Sequence, residues 1–139
     1  MPDQGATWGE FMQNAVDDIA NLLGRVLLTT IFIWSGYGKI VGYAATVGYM
    51  EKFGVPGMML PLVIALELAG GVLLVIGWQT KYVAIALAVF TVVAGILFHG
   101  NFGDRGQMIH FTKNLAIAGG FLALFVSGPG RWSLDGRKA

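Results

Sequence analysis

The chain has 139 residues, enough for one domain and too few for two ordinary ones. Hydrophobic residues make up 55% of it and charged residues only 12%, with a mean hydropathy of +0.67; a typical soluble domain is about 25% charged, so a disordered chain is excluded and a water-soluble enzyme strongly disfavoured. The net charge of +1 gives no case for a nucleic-acid partner, and the absence of cysteine rules out disulfides, thiol chemistry, cysteine zinc sites and iron–sulfur ligation.

Residues 1–18 carry Asp3, Glu10, Asp17 and Asp18 but no Lys or Arg. That is the wrong charge for a secretory signal. The segment reads either as a short interfacial helix anchored by Trp8 and Phe11 or as a polar tail, set ahead of a membrane domain over residues 19–139. A spanning helix needs about 20 mostly apolar residues. The first candidate covers residues 19–37 and holds one charge, Arg25. Residues 39–57 follow, with Tyr43, Val47, Tyr49, Met50 and Phe53. They read as a short amphipathic or re-entrant helix stopped by Gly54 and Pro56. The second span covers residues 58–78 and holds one charge, Glu67. Residues 79–81 form a tight link, so the second and third spans are expected to be antiparallel neighbours. The third span, residues 82–98, is uncharged. Residues 99–112 are polar and glycine-rich and read as a loop. The fourth apolar stretch, residues 115–126, reaches spanning length only if it is extended back to about residue 109, with Lys113 and Asn114 in its first turns. The runs are continuously apolar rather than alternating, which favours helices over barrel strands. The expected fold is all-α: a polytopic membrane protein with a bundle of four transmembrane helices, in contact with lipid. Trp8, Trp34, Trp78 and Trp132 fall near span ends, as an aromatic belt would.

With four spans the termini share a side. Lys81, Arg131, Arg137 and Lys138, plus a snorkelling Arg25, outnumber Lys39, Lys52, Arg105 and Lys113 by five to four. The excess of basic residues expected on the inside places both termini in the cytoplasm. Small residues four apart (Ala65 and Ala69, Ala84 and Ala88, Ala116 and Gly120) are expected to let helices approach closely, within the bundle or between copies or partners.

The ionisable residues inside the membrane carry the functional information. A mid-membrane carboxylate costs about 2.5–3.5 kcal/mol on insertion scales, so Glu67 must be paired, neutral or facing a wet cavity. At 1.5 Å per residue, Arg25 lies about 9 Å and Glu67 about 15 Å from the terminal side, a gap an extended arginine spans. The expectation is therefore an Arg25–Glu67 pair inside the bundle. Such a pair either fixes helix register or marks a group that titrates or binds a polar part of a substrate. A second polar group gathers at the opposite face: Lys39, His99, His110, Lys113 and Asn114, with Trp34, Tyr37 and Phe98 as a surround. His110 and Asn114 are four apart and share a helix face. These residues read as interfacial hydrogen-bonders or as donors to a substrate or quinone headgroup. Two histidines without a third ligand make no metal site. No residue is singled out as catalytic: there is no Walker-type phosphate loop, and Ser35 and Ser127 have no base nearby in sequence.

Five stretches together resemble the DoxX family of small four-helix bacterial membrane proteins. They are residues 23–28 followed by Gly36-Tyr37-Gly38-Lys39-Ile40; Gly54-Val55-Pro56; Glu67-Leu68-Ala69-Gly70-Gly71 running to Ile76-Gly77; Lys113-Asn114-Leu115 with Gly119-Gly120; and residues 128–135, ending Trp132-Ser133-Leu134-Asp135, with Trp where the family's closing motif has Tyr. The resemblance implies a bacterial inner-membrane location and a terminal-oxidase or thiosulfate:quinone oxidoreductase context. Arg25, Lys39, Glu67, His99 and Asn114 match recurrent polar positions of the family, without a settled catalytic role. The function this implies is an accessory or anchoring subunit of a membrane-associated oxidoreductase, contacting a protein partner and quinone. Two other readings stand beside it: a proton-linked transporter or binder of an apolar or weakly acidic molecule, and a structural assembly factor. A homo-oligomer fits any of the three.

Overall fold

A computed structural model describes residues 5–138 as five α-helices with no strand. The first, α1, runs from Trp8 to Val41 and has 34 residues, about 51 Å of helix against a hydrocarbon core of about 30 Å. It begins eleven residues before the apolar run does, because Thr7 and Glu10 form a capping box: the Thr7 hydroxyl accepts from the Glu10 amide, and the Glu10 carboxylate accepts from the Thr7 amide. Trp8, Phe11 and Asp18 thus lie on α1 itself, and residues 1–4 fall outside the described residues.

Gly42 ends α1, and the ten-residue α2 follows (Tyr43–Lys52). It stops where the glycine–proline signal predicts, with Gly54 at a φ of 77° and Pro56 after it. A single 3-10 turn, Gly57–Met59, leads into α3 (Leu60–Ile76). Three residues separate α3 from α4 (Thr80–Phe98). The last helix, α5, is Arg105–Ser127, and it starts four residues earlier than the hydropathy suggests. Its N-cap is Asp104, whose carboxylate accepts from the Gln107 amide. An acidic residue followed three later by Gln is a helix-start signal visible in the sequence. Four of these helices are long and apolar enough to cross a membrane.

The bundle consists of two pairs. Helices α1 and α3 pack closely, as do α4 and α5, while α3 meets α4 less extensively and α1 barely touches α5. Helix association in lipid rests on dispersion and close approach rather than on the hydrophobic effect. The close approaches fall at glycines. A Cβ on Gly36 would meet Leu68, one on Gly71 would meet Ile33, one on Gly70 would touch Leu87, and one on Gly95 would touch Asn114. Of the small-residue pairs read from the sequence, Ala84 and Ala88 are buried, whereas Ala65 and Ala69 face outward. The core joins Phe32, Leu74, Leu87, Ala118, Phe121 and Leu124, with Phe32 and Phe121 in ring contact at 5.3 Å.

The terminal face is closed by the segment after α5. The Leu134 amide donates to the Ile76 carbonyl, the Asp135 amide donates to the Gly77 carbonyl, and the Asp135 carboxylate accepts from the Gln79 and Thr80 amides at 3.0 and 2.8 Å. Helix α4 has no side-chain cap of its own; Asp135 supplies it from 55 residues away. Gly77, at a φ of 72°, gives the left-handed turn that this docking needs, and its Cα faces Ser133 too closely for a Cβ. Loss of an N-cap costs about 0.5–2 kcal/mol. Asp135→Ala is therefore expected to lower the detergent melting temperature, with Asp135→Asn retaining part of the loss; an unchanged melting temperature in Asp135→Ala would refute the capping role.

Candidate functional site

Glu67 is the eighth residue of α3, about 10 Å from the helix start and about 14 Å from its end, hence near mid-bilayer. It is 4% exposed. Its partner is Lys39, not Arg25. Lys39 Nζ lies 3.0 Å from both carboxylate oxygens and has hydrogen-bond geometry to Oε1 only, so Oε2 is ion-paired but receives no hydrogen bond. Ser35, one turn before Lys39 on α1, completes the group: its hydroxyl accepts from Lys39 and faces Glu67 Oε1 at 3.4 Å. The register that brings them together is set by Gly36, which lets the α1 backbone lie against Glu67 and Leu68. Ser35 and Lys39 share a helix face by their spacing of four, a signal the sequence contained; a serine without a nearby base in sequence has a cation and a carboxylate beside it in space.

Arg25 occupies the other end of the bundle, fully buried at 1% exposure, and its charge is met without any carboxylate. Its Nη1 donates to the carbonyls of Leu74 and Val75, its Nη2 to the Trp132 carbonyl, and its Nε to Asn21 Oδ1. The physical reason is the C-terminus of α3. The last four carbonyls of a helix have no partner inside it and carry the negative end of the helix dipole. Here Leu73 is satisfied by the Gly77 and Trp78 amides, Leu74 and Val75 by Arg25, and Ile76 by Leu134. Asn21 in turn donates to the Gly128 carbonyl. Nearby, buried Asp18 binds exposed Arg131 at 2.6 Å; the hydrogen bonds and charge of Asp18 raise the Arg131 pKa above its ordinary value.

Between the two helix pairs, in the half of the bundle away from the termini, lies a cavity of about 400 Å³, within the range of small-molecule sites. Lys39, Ser35 and Glu67 form part of its wall, with His99, Asn114 and Thr46 as further polar groups. The rest is apolar, including the rings of Phe32, Tyr49, Phe90 and Phe98. Asn114 is oriented by donating to the Thr91 carbonyl at 3.1 Å. Of the residues singled out in the sequence, Lys39, Glu67, His99 and Asn114 are thus brought to one cavity. His110 stacks on His99 at 5.0 Å but does not line it, Lys113 is exposed, and Arg25 is remote. The expected surround is only partly right: Phe98 lines the cavity, while Trp34 and Tyr37 are exposed and outside it. Tyr49, Thr46 and Phe90 were not anticipated, because periodicity does not say which apolar residues face a void. Among the described residues no three His, Asp or Glu side chains converge as a metal site would need.

A four-helix bundle with a mid-bilayer ion pair facing a largely apolar cavity defines a small polytopic membrane protein with an internal cavity. The DoxX family model matches residues 20–100, and the chain belongs to the DoxX family. It is 48% identical over 120 residues to the Inner membrane protein YqjF of Escherichia coli (strain K12), covering 86% of this chain and 92% of that one. It is 37% identical to the Inner membrane protein YphA of the same organism (84% and 88% covered). It is 32% identical to a Bacillus subtilis (strain 168) protein named "Putative oxidoreductase CatD" (77% and 85% covered). No solved structure matches the chain.

Proposed function

We propose that this protein is a non-catalytic membrane subunit of a redox system, resident in the bacterial inner membrane with both termini cytoplasmic, whose cavity holds the headgroup of a quinone. The observation that carries this reading is the composition of the cavity wall: aromatic and aliphatic side chains on most of it, and one charged donor, Lys39, held in place by Glu67 and Ser35. A quinone ring presents flat apolar faces and carbonyl oxygens that accept hydrogen bonds, and a charge-assisted bond to a carbonyl in a dry site contributes about 1.5–3 kcal/mol. The oxidoreductase in the name of the Bacillus relative supports the redox context. The chain would contact a soluble or membrane enzyme that carries the electrons, which gives it an anchoring and quinone-presenting role.

The test is equilibrium binding of a short-chain ubiquinone analogue to protein in lipid nanodiscs. Saturable binding is expected, weakened at least tenfold in the paired substitution Lys39→Met with Glu67→Met. A wild-type protein with no saturable binding overturns the quinone reading. The second reading, a proton-linked carrier of an apolar or weakly acidic molecule, is favoured by the depth of Glu67 alone; proteoliposomes showing Glu67-dependent proton flux without quinone would select it.

A further inference from the structure

The cavity is only partly covered, and side chains that face lipid form part of its boundary. At the end nearest the membrane surface, α2 lies across it. Met50 on the inner face of α2 is 4% exposed, the Tyr49 ring stacks on Phe98 at 5.5 Å, and Phe53 packs against both at 5.0 and 5.3 Å. His99 closes the same end from the α4–α5 loop, held by Gln107 at 2.8 Å and stacked on His110.

The side walls differ in how many lining residues face lipid: α1 contributes one, Ile31 at 53% exposure, and α3 and α4 together contribute three. Helices α3 and α4 touch near the terminal face, where Gly70 meets Leu87, and the cavity begins where they part. At that seam Leu62 from α3 and Val93 and Leu97 from α4 line the cavity while being 66%, 46% and 43% exposed, with half-buried Leu66 and Ala94 just inside. Val93 is five residues from the end of α4, about 8 Å inside the helix terminus, at hydrocarbon depth. A residue that both lines a void and faces acyl chains marks an edge of that void. Every residue at this edge is aliphatic, so nothing there would stop an apolar molecule or retain water.

We infer that the cavity is loaded sideways from the bilayer, through the α3–α4 seam, and that its ligand is therefore a molecule dissolved in the lipid phase rather than an aqueous metabolite. The inference deepens the quinone reading and rests on the cavity being that ligand site. The polar group of the ligand reaches Lys39 while its apolar tail trails through the seam past Leu62 and Val93. The seam sets the substrate class: the ligand carries one compact polar head and a chain narrow enough to leave between two helices.

The lack of native cysteine makes the test direct. A spin label is placed on Leu66→Cys, and in a second variant on Ile117→Cys across the cavity, and its collisions with dissolved oxygen, enriched in hydrocarbon, are compared with those of a water-soluble nickel chelate. In nanodiscs both labels are expected to meet oxygen at least threefold more than the chelate. Val93→Trp, filling the seam, is expected to lower the oxygen collisions at Leu66→Cys at least twofold. Access to the chelate, access to neither reagent, or indifference to Val93→Trp would each overturn the lateral route. Addition of a ubiquinone analogue is expected to reduce the oxygen collisions as well. If it does not while the access pattern holds, the quinone reading fails and the route from lipid stands.

Discussion

Arg25→Met is expected to cost about 3–5 kcal/mol of stability, the range for removing one partner from a buried charged network. Methionine fills much of the same volume, so the loss isolates the polar term. Four acceptors would be stranded together: the carbonyls of Leu74, Val75 and Trp132 and the side chain of Asn21. An uncompensated buried acceptor costs about 1–3 kcal/mol, and the space the guanidinium would vacate is buried, Arg25 being 1% exposed. Arg25→Lys is expected to recover only part of the loss, because an ammonium presents three donors around a point where guanidinium presents a planar fork. Thermal unfolding in a mild detergent reads both. A methionine variant as stable as the wild type would mean that the end of α3 is satisfied in another way.

The second large effect is conditional. Lys39→Met alone leaves Glu67 as an unpaired carboxylate near mid-bilayer and is expected to destabilise by about 3–5 kcal/mol or to prevent accumulation. Adding Glu67→Met removes the stranded charge, and the double variant is expected to return to within about 1 kcal/mol of the wild type, since apolar replacement of a buried ion pair is often neutral or better. The double-mutant cycle therefore yields a coupling well beyond additivity. Additive losses would show that Lys39 and Glu67 act independently. A stable double variant that fails the binding test proposed above while the wild type passes it would separate the role of the pair in the cavity from its role in the fold.

Much of the architecture was legible because lipid imposes length and apolarity on a spanning helix, and three of the four spans announce themselves that way. What hydropathy misses is where a helix extends beyond the membrane. Both extensions, Thr7 into α1 and Asp104 into α5, are written in capping residues instead. The pairing of the internal charges was misread for a related reason. Depth counted from residue 19 puts Arg25 about 6 Å from Glu67 along the bundle, whereas Arg25 sits level with Leu74 and Val75, seven and eight residues further along α3, or about 11 Å. Helix offset is fixed by which glycine meets which side chain, as Gly36 meets Leu68, and no count from an apolar boundary contains that. Depth arithmetic also ignored the carbonyls at the end of α3, a negative partner with no letter of its own. The candidate site was half visible: its polar members Lys39, Glu67, His99 and Asn114 stood out against an apolar background, and its aromatic walls did not.

The docking of Leu134 and Asp135 onto Ile76, Gly77 and the start of α4 bears on biogenesis. These residues follow all four helices in chain order, so α1, α3 and α4 are made while the terminal face is still unfastened. Until the tail arrives, α4 lacks its cap, and Arg25 lacks one of its four acceptors. Quality-control proteases that sample the cytoplasmic face, on the orientation proposed above, would meet that unlatched intermediate in every newly made copy.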